Sequence, residues 1–273
     1  MNKSLKRLFL GVLTTTLIAF ALAACGGGGG GAAPPPPAPP APPAPPPPVT
    51  NASPGGIWEG IDSDGDLVAV FATETGRFHF FDEFGNQGSG ILSVSNGNDI
   101  AANFQGVTPW GLTFPDGTTL VDCMLSGTVA ERQTLTLALD CTTTMGLQFQ
   151  TTMTLDYDAI YDRDSSLATV AGNYDDGSGI VTNIAADGTI FDQDPVSGCV
   201  TNGQVRVIDS AFNVYDFEFG YSSCTGQNAI LNGTSFVGIG TLDDTFTPES
   251  LYVVAIGDIA GTLVSSFFGA ERL

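Results

Sequence analysis

The stretch from Cys123 to Cys141 can fold back on itself in one satisfactory way. With its turn at Arg132, Cys123 faces Cys141, Leu125 faces Leu139, Gly127 faces Leu137 and Val129 faces Leu135. The opposite face then carries Asp122, Ser126, Thr128, Thr136 and Asp140. One apolar and one polar face is what the two-residue period of a β-strand demands. Residues directly opposite in an antiparallel pair have Cα atoms about 4.5–5.5 Å apart, within reach of a disulfide. The hairpin therefore predicts a Cys123–Cys141 bridge, which leaves Cys199 to pair with Cys224.

The rest of the chain beyond residue 55 reads the same way. Helix signals are nearly absent, and short β-branched and aromatic runs alternate with turns such as Asp64-Gly65, Asp116-Gly117 and Asp187-Gly188. Such punctuation predicts strands near 57–61, 67–73, 77–82, 88–94, 99–107, 118–130, 134–141 and 145–158. A second series is predicted near 168–175, 179–186, 189–193, 198–209, 214–223, 228–240, 249–258 and 261–271. The expected fold class is all-β: antiparallel barrels or sandwiches in two consecutive units of about eight strands, 55–164 and 165–273. Val205 and Val207 alternate on one strand of the second cysteine hairpin, and Tyr215, Phe217, Phe219 and Tyr221 on the other. Matching those faces puts the register one residue away from a direct Cys199–Cys224 pairing. A bulge at Gly203 or Gly220 would absorb the offset.

Residues 1–24 read as a leader: Lys3, Lys6 and Arg7, then an apolar run from Leu8 to Ala21 that is too short for a stable membrane span. Leu22-Ala23-Ala24-Cys25 resembles the lipobox of bacterial lipoproteins at every position. The resemblance implies cleavage before Cys25 and lipidation of that residue, with several acyl chains, since one alone holds weakly. Gly26 after the cysteine implies, by the same family's sorting pattern, the outer membrane, with the body on its periplasmic face or at the cell surface. Residues 25–54 read as a tether. Gly26 to Gly31 have no side chains to bury, and Pro34 to Pro48 favour polyproline II, spanning on the order of 45 Å. Gly56-Ile57-Trp58 resembles the Gly-x-Trp opening of lipocalin-like and avidin-like barrels, and Gly172-Asn173-Tyr174 opens the second series similarly. The pair raises an internal duplication, although the cysteine hairpins fall at different places in the two series.

Without the leader the chain has five arginines, no lysine and 29 acids, a formal charge of −24. That excludes nucleic acid and anionic lipid as partners for the body, because both need basic patches. It favours a soluble monomer, with an acidic patch for cations or basic partners as the second reading. The absence of lysine excludes P-loop and Schiff-base chemistry. One histidine, His79, excludes HExxH and multi-histidine zinc sites. No Gly-x-Ser-x-Gly elbow accompanies it, so it is expected as a hydrogen-bonded strand residue.

Asp62, Asp64 and Asp66 alternate on a tight turn and could offer oxygen ligands to Ca²⁺. The glycine spacing and Thr73 depart from an EF-hand, so a solvated turn with no cofactor is the leading expectation. Of the aromatics, Trp110 in Thr108-Pro109-Trp110-Gly111 is expected to be exposed. No catalytic constellation emerges. The expected function is a non-enzymatic binding or envelope-accessory module held to the membrane by its lipid. The alternatives are a cell-surface carbohydrate hydrolase using paired carboxylates and a calcium-dependent adhesion module.

Overall fold

The computed structural model describes residues 50–273. The leader, Cys25 and the glycine and proline tracts lie outside the described residues. The described chain is all-β and forms two closed eight-stranded antiparallel barrels.

The first barrel is built from β1 (Gly56–Asp62), β2 (Leu67–Ala72), β3 (Arg77–Asp82), β4 (Gln87–Ile91), β5 (Ser93–Ser95), β6 (Asp99–Val107), β7 (Leu120–Ala130), β8 (Thr134–Thr143) and β9 (Gln148–Asp158). Its order is β4-β3-β2-β1-β9-β8-β7-β6-β5, closed by β4 pairing with β6. β4 and β5 are one strand in one register against β6, with Gln87 opposite Val107 and Ser93 opposite Ala101. The predicted strand over 88–94 is interrupted because the Leu92 N–H turns away to the Gly76 carbonyl. The hairpin read about Arg132 is present residue for residue, with Cys123 opposite Cys141 and Val129 opposite Leu135, and the Cys123–Cys141 disulfide is formed. Arg132 takes the left-handed conformation that so tight a turn needs, at φ 56°.

Alternation fills the interior. Ile100, Ala102 and Phe104 of β6 meet Trp58, Phe78, Phe80, Leu125 and Leu137 in one core. Trp58 is fully buried, and its indole Nε1 donates to the Pro54 carbonyl at 3.1 Å. Docking of the chain onto this barrel already begins at Asn51 and Ala52, which bond to Val94 and Gly97.

A 3₁₀ turn over Ala159–Asp162 and a helical turn over Leu167–Val170 lead to the second barrel. It comprises β10 (Gly172–Asp175), β11 (Val181–Ile184), β12 (Thr189–Gln193), β13 (Val200–Val207), β14 (Tyr215–Ser222), β15 (Ser235–Asp243), β16 (Ser250–Ile259) and β17 (Thr262–Arg272). Two strand predictions are corrected here. The run 168–175 starts as the helical turn, because Ser166 caps it by accepting from the Thr169 N–H. The run 228–240 starts as a 3₁₀ helix over Gly226–Leu231.

The bulge expected at Gly203 or Gly220 is absent. β13 and β14 keep one register from Val200–Ser222 to Val207–Tyr215. The odd residue is Ser223, just past the strand, whose φ of 60° swings Cys224 back to Cys199. The two openings match in detail. The Tyr174 hydroxyl donates to the carbonyl of Val170, four residues upstream, as Trp58 does to Pro54.

The barrels pack wall to wall. Ile57, Phe71 and Phe81 on the outside of β1–β3 meet Ile239, Val254 and Tyr252 on the outside of β15 and β16, with Tyr161 and Val214 between them. Ser265 bonds back to the Gly85 and Thr108 carbonyls, and Gln87 Nε2 to the Ser266 carbonyl. Arg77 pairs with Asp216 at 2.6 Å. At the end of this seam, the Arg132 guanidinium sits 4.9–5.3 Å from the ring centroids of Tyr161, Phe212 and Tyr157 and donates to Glu74 at 2.8 Å.

Candidate functional site

With both interiors filled by side chains, the concave surface to consider lies on the outside of the first barrel, over β6 to β9. The alternation that sends Ile100, Ala102 and Phe104 inward sends Ala101, Asn103 and Gln105 outward. Register then lines up cross-strand rows. Ala101, Ser126, Ala138 and Thr152 make a low row of small side chains. Beside it, Asn103, Met124, Asp140 and Gln150 make a taller one. The step between them is an open trough of about 620 Å³, edged by Ser63 from the β1–β2 turn. It continues into a second hollow of about 480 Å³ beside Gln105, Asp122 and Thr142.

Two carboxylates, Asp122 and Asp140, therefore open on the second hollow, Asp140 lining the trough as well, and each is held by an amide. Gln105 Nε2 donates to Asp122 at 3.1 Å, and Gln150 Nε2 donates to Asp140 at 3.0 Å. Met124, 61% exposed, adjoins both, two residues along β7 from Asp122 and opposite Asp140 on β8. The trough offers amides, hydroxyls and the Asp140 carboxylate for hydrogen bonding around a largely apolar floor that includes Ala101, Met124 and Ala138, and no nucleophile–base pair. The sequence reading missed it, since only the register between four strands brings these residues into rows.

The Asp62 turn is organised by its own backbone. One Asp62 oxygen accepts the N–H groups of Asp64 and Asp66, and the other accepts the Thr151 hydroxyl. Asp82 does the same for Phe84 and Asn86 in the β3–β4 turn, where no second or third aspartate follows. The shared geometry closes a hairpin around Gly65 and Gly85 at positive φ. Among the described residues no cluster of three or more His, Cys, Asp or Glu side chains is placed to hold a metal ion.

His79 does not have the partners expected of it. It lies on the seam face of β3, buried, and its Nδ1 has no hydrogen-bond partner. Burial, and then the Arg77 charge, push its pKa down to about 4, so the ring is neutral. Farther along the same seam Glu59 is raised to about 7, first by burial and then by Asp158 and Asp243. Its place two residues from Ile57 on an outward face was the available signal that this end of the face is covered, whereas Ile61 farther along is exposed. Trp110 is exposed as predicted, at 49%, but Phe84 at 58% is more so, while Trp58 and Tyr215 are core.

No protein-family model matches the chain, and no curated protein matches it.

Proposed function

We propose that the protein is a lipid-anchored component of the bacterial outer membrane, fastened through Cys25 and carried on a Gly/Pro tether. Its body acts as a non-enzymatic binding or envelope-accessory module. The observation that supports the binding reading is the trough: an open, solvent-facing groove with a largely apolar floor edged by amides, hydroxyls and the Asp140 carboxylate, on a wall whose other side is core. Ligands of that kind of site are amphipathic chains that combine hydrogen-bonding groups with an apolar face, as glycans and peptides do. Mass spectrometry of the protein isolated from membranes tests the anchor, which fails if residue 25 is unacylated or the leader remains. A glycan and peptide array probed with the protein and with Met124→Arg tests the trough. Binding that the arginine leaves unchanged would remove it from consideration.

A second reading has one observation in its favour, the opening of Asp122 and Asp140 on the hollow beside the trough. A carbohydrate hydrolase built on them would release reducing ends from envelope polysaccharide, and Asp122→Asn or Asp140→Asn would abolish the release. Equal release by both variants would exclude that pair. The calcium-dependent adhesion reading rests on the Asp62 turn alone and predicts a rise in melting temperature with calcium.

A further inference from the structure

The first barrel has two unlike ends. At one, the chain comes in through Asn51 and Ala52, held by the β5–β6 turn. At the other, four hairpin loops emerge, between β1 and β2, β3 and β4, β6 and β7, and β8 and β9. Three of these loops hold large apolar side chains in solvent: Phe84 at 58%, Trp110 at 49%, Leu112 at 53% and Met145 at 74% exposure. Closing a hairpin needs glycine and a capping polar group, which Gly85, Gly146, Asp82 and Thr143 already supply. The apolar tips serve no visible purpose in the fold.

The loops are also fixed in place. Gly85 packs so closely that a Cβ there would lie 3.0 Å from Pro109. Ser265 of the second barrel ties both loops down through the Gly85 and Thr108 carbonyls. The Thr108 hydroxyl donates to the Leu112 carbonyl at 2.8 Å, and Asp116 accepts the Thr143 hydroxyl, joining the long loop to the β8–β9 turn. The tips are thus presented at little further entropic cost on binding.

Around them stand Asp64, Asp66, Glu83 and Asp116, and no arginine. All five arginines of the described chain lie elsewhere and are ion-paired, Arg163 and Arg272 sharing Glu249. Exposed apolar anchors, a tryptophan among them, sharing one end with acidic side chains have the composition of a protein-docking surface. The end is acidic, so it repels anionic lipid and a second copy of itself.

We propose that the hairpin end of the first barrel docks a protein partner presenting an apolar pocket within a basic rim, with Trp110 as the main anchor. This deepens the binding-module reading by naming a partner class, on a face separate from the trough. The test is selection of a random peptide library displayed on phage against the full protein, followed by titration calorimetry of the enriched peptide. The expected peptides combine aromatic or aliphatic residues with Lys or Arg. Their affinity falls by about 30-fold in Trp110→Ser, the size of a hot-spot loss. It also falls in Phe84→Ser and as salt rises, and is unchanged in Val196→Ser, another exposed apolar site, and in the trough variant Met124→Arg.

All four variants are surface changes, and their melting temperatures should match that of the parent protein. No enrichment, peptides without basic residues, or full affinity in Trp110→Ser would overturn the proposal. A blue shift of Trp110 fluorescence on neutral phosphatidylcholine vesicles would reassign the face to a membrane. Self-association abolished by Trp110→Ser would reassign it to a second copy of the chain. Loss of array binding in Met124→Arg with peptide binding intact would separate the fate of the trough from that of this face.

Discussion

Glu59→Gln should make the protein more stable at neutral and alkaline pH. In the fold, burial and the neighbouring Asp158 and Asp243 raise the Glu59 carboxyl from 4.5 to about 7. Below pH 4.5 it is protonated in both the folded and unfolded chain and contributes no pH dependence. Between 4.5 and about 7 the unfolded chain releases its proton while the folded one keeps it, so stability falls as pH rises. Above about 7 the loss is complete. A shift of this size corresponds to about 3 kcal/mol at 1.36 kcal/mol per pH unit. Glutamine keeps the shape and has no proton to lose. The assay is urea denaturation of parent and variant across pH 4 to 8.5. The difference between the two curves cancels every titrating group not coupled to Glu59. It should shift by up to about 3 kcal/mol in favour of the variant on going from low pH to pH 8. A difference that stays flat across the range would refute the placement of Glu59 among acids in the seam.

His79 should act with the opposite sign. Its pKa is lowered to about 4, so the unfolded chain takes up a proton below pH 6.5 that the folded one refuses. Stability is lost as pH falls from 6.5 towards 4, and His79→Phe should lose less over that window in the same denaturation series. Arg132→Ala removes a charge-assisted bond to Glu74 and the contacts with three rings. It should cost about 3 kcal/mol, whereas Arg206→Ala, at a pair exposed on both sides, should cost under about 0.5 kcal/mol. Thermal melts of the two variants check the contrast. Asp62→Ala should cost about 1 kcal/mol by uncapping its turn, while Asp64→Ala should be nearly neutral. Calcium should move the melting temperature of neither, by differential scanning fluorimetry.

Local pattern carried much of the fold. Two-residue alternation and turn glycines were enough for β3, β6 and β12, whose bounds match the reading, and for Cys123–Cys141, which left Cys199 for Cys224. Short stretches at strand ends were less legible. Leu167–Val170 turned helical through the Ser166 cap, and the offset at Cys199–Cys224 was taken up by Ser223 in a left-handed turn, where a glycine bulge had been the simpler guess. The seam left a trace that went unread. β2 is apolar on both faces, and β16 runs Leu251-Tyr252-Val253-Val254-Ala255-Ile256 without a polar break. A strand that buries both faces must have a second neighbour, but one sequence does not say which strands meet. For the same reason, the partnerless Nδ1 of His79 and the raised carboxyl of Glu59 could be found only in three dimensions. The trough was invisible because its rows cross four strands.

The wall shared by the barrels makes the molecule indivisible in practice. A fragment cut after Asp162 would carry Ile57, Phe71 and Phe81 bare on its flank, and the remainder would carry Ile239, Val254 and Phe267. Each piece could close its own cylinder and still be sticky. During synthesis the earlier cylinder has this flank uncovered until the later one has been completed beside it.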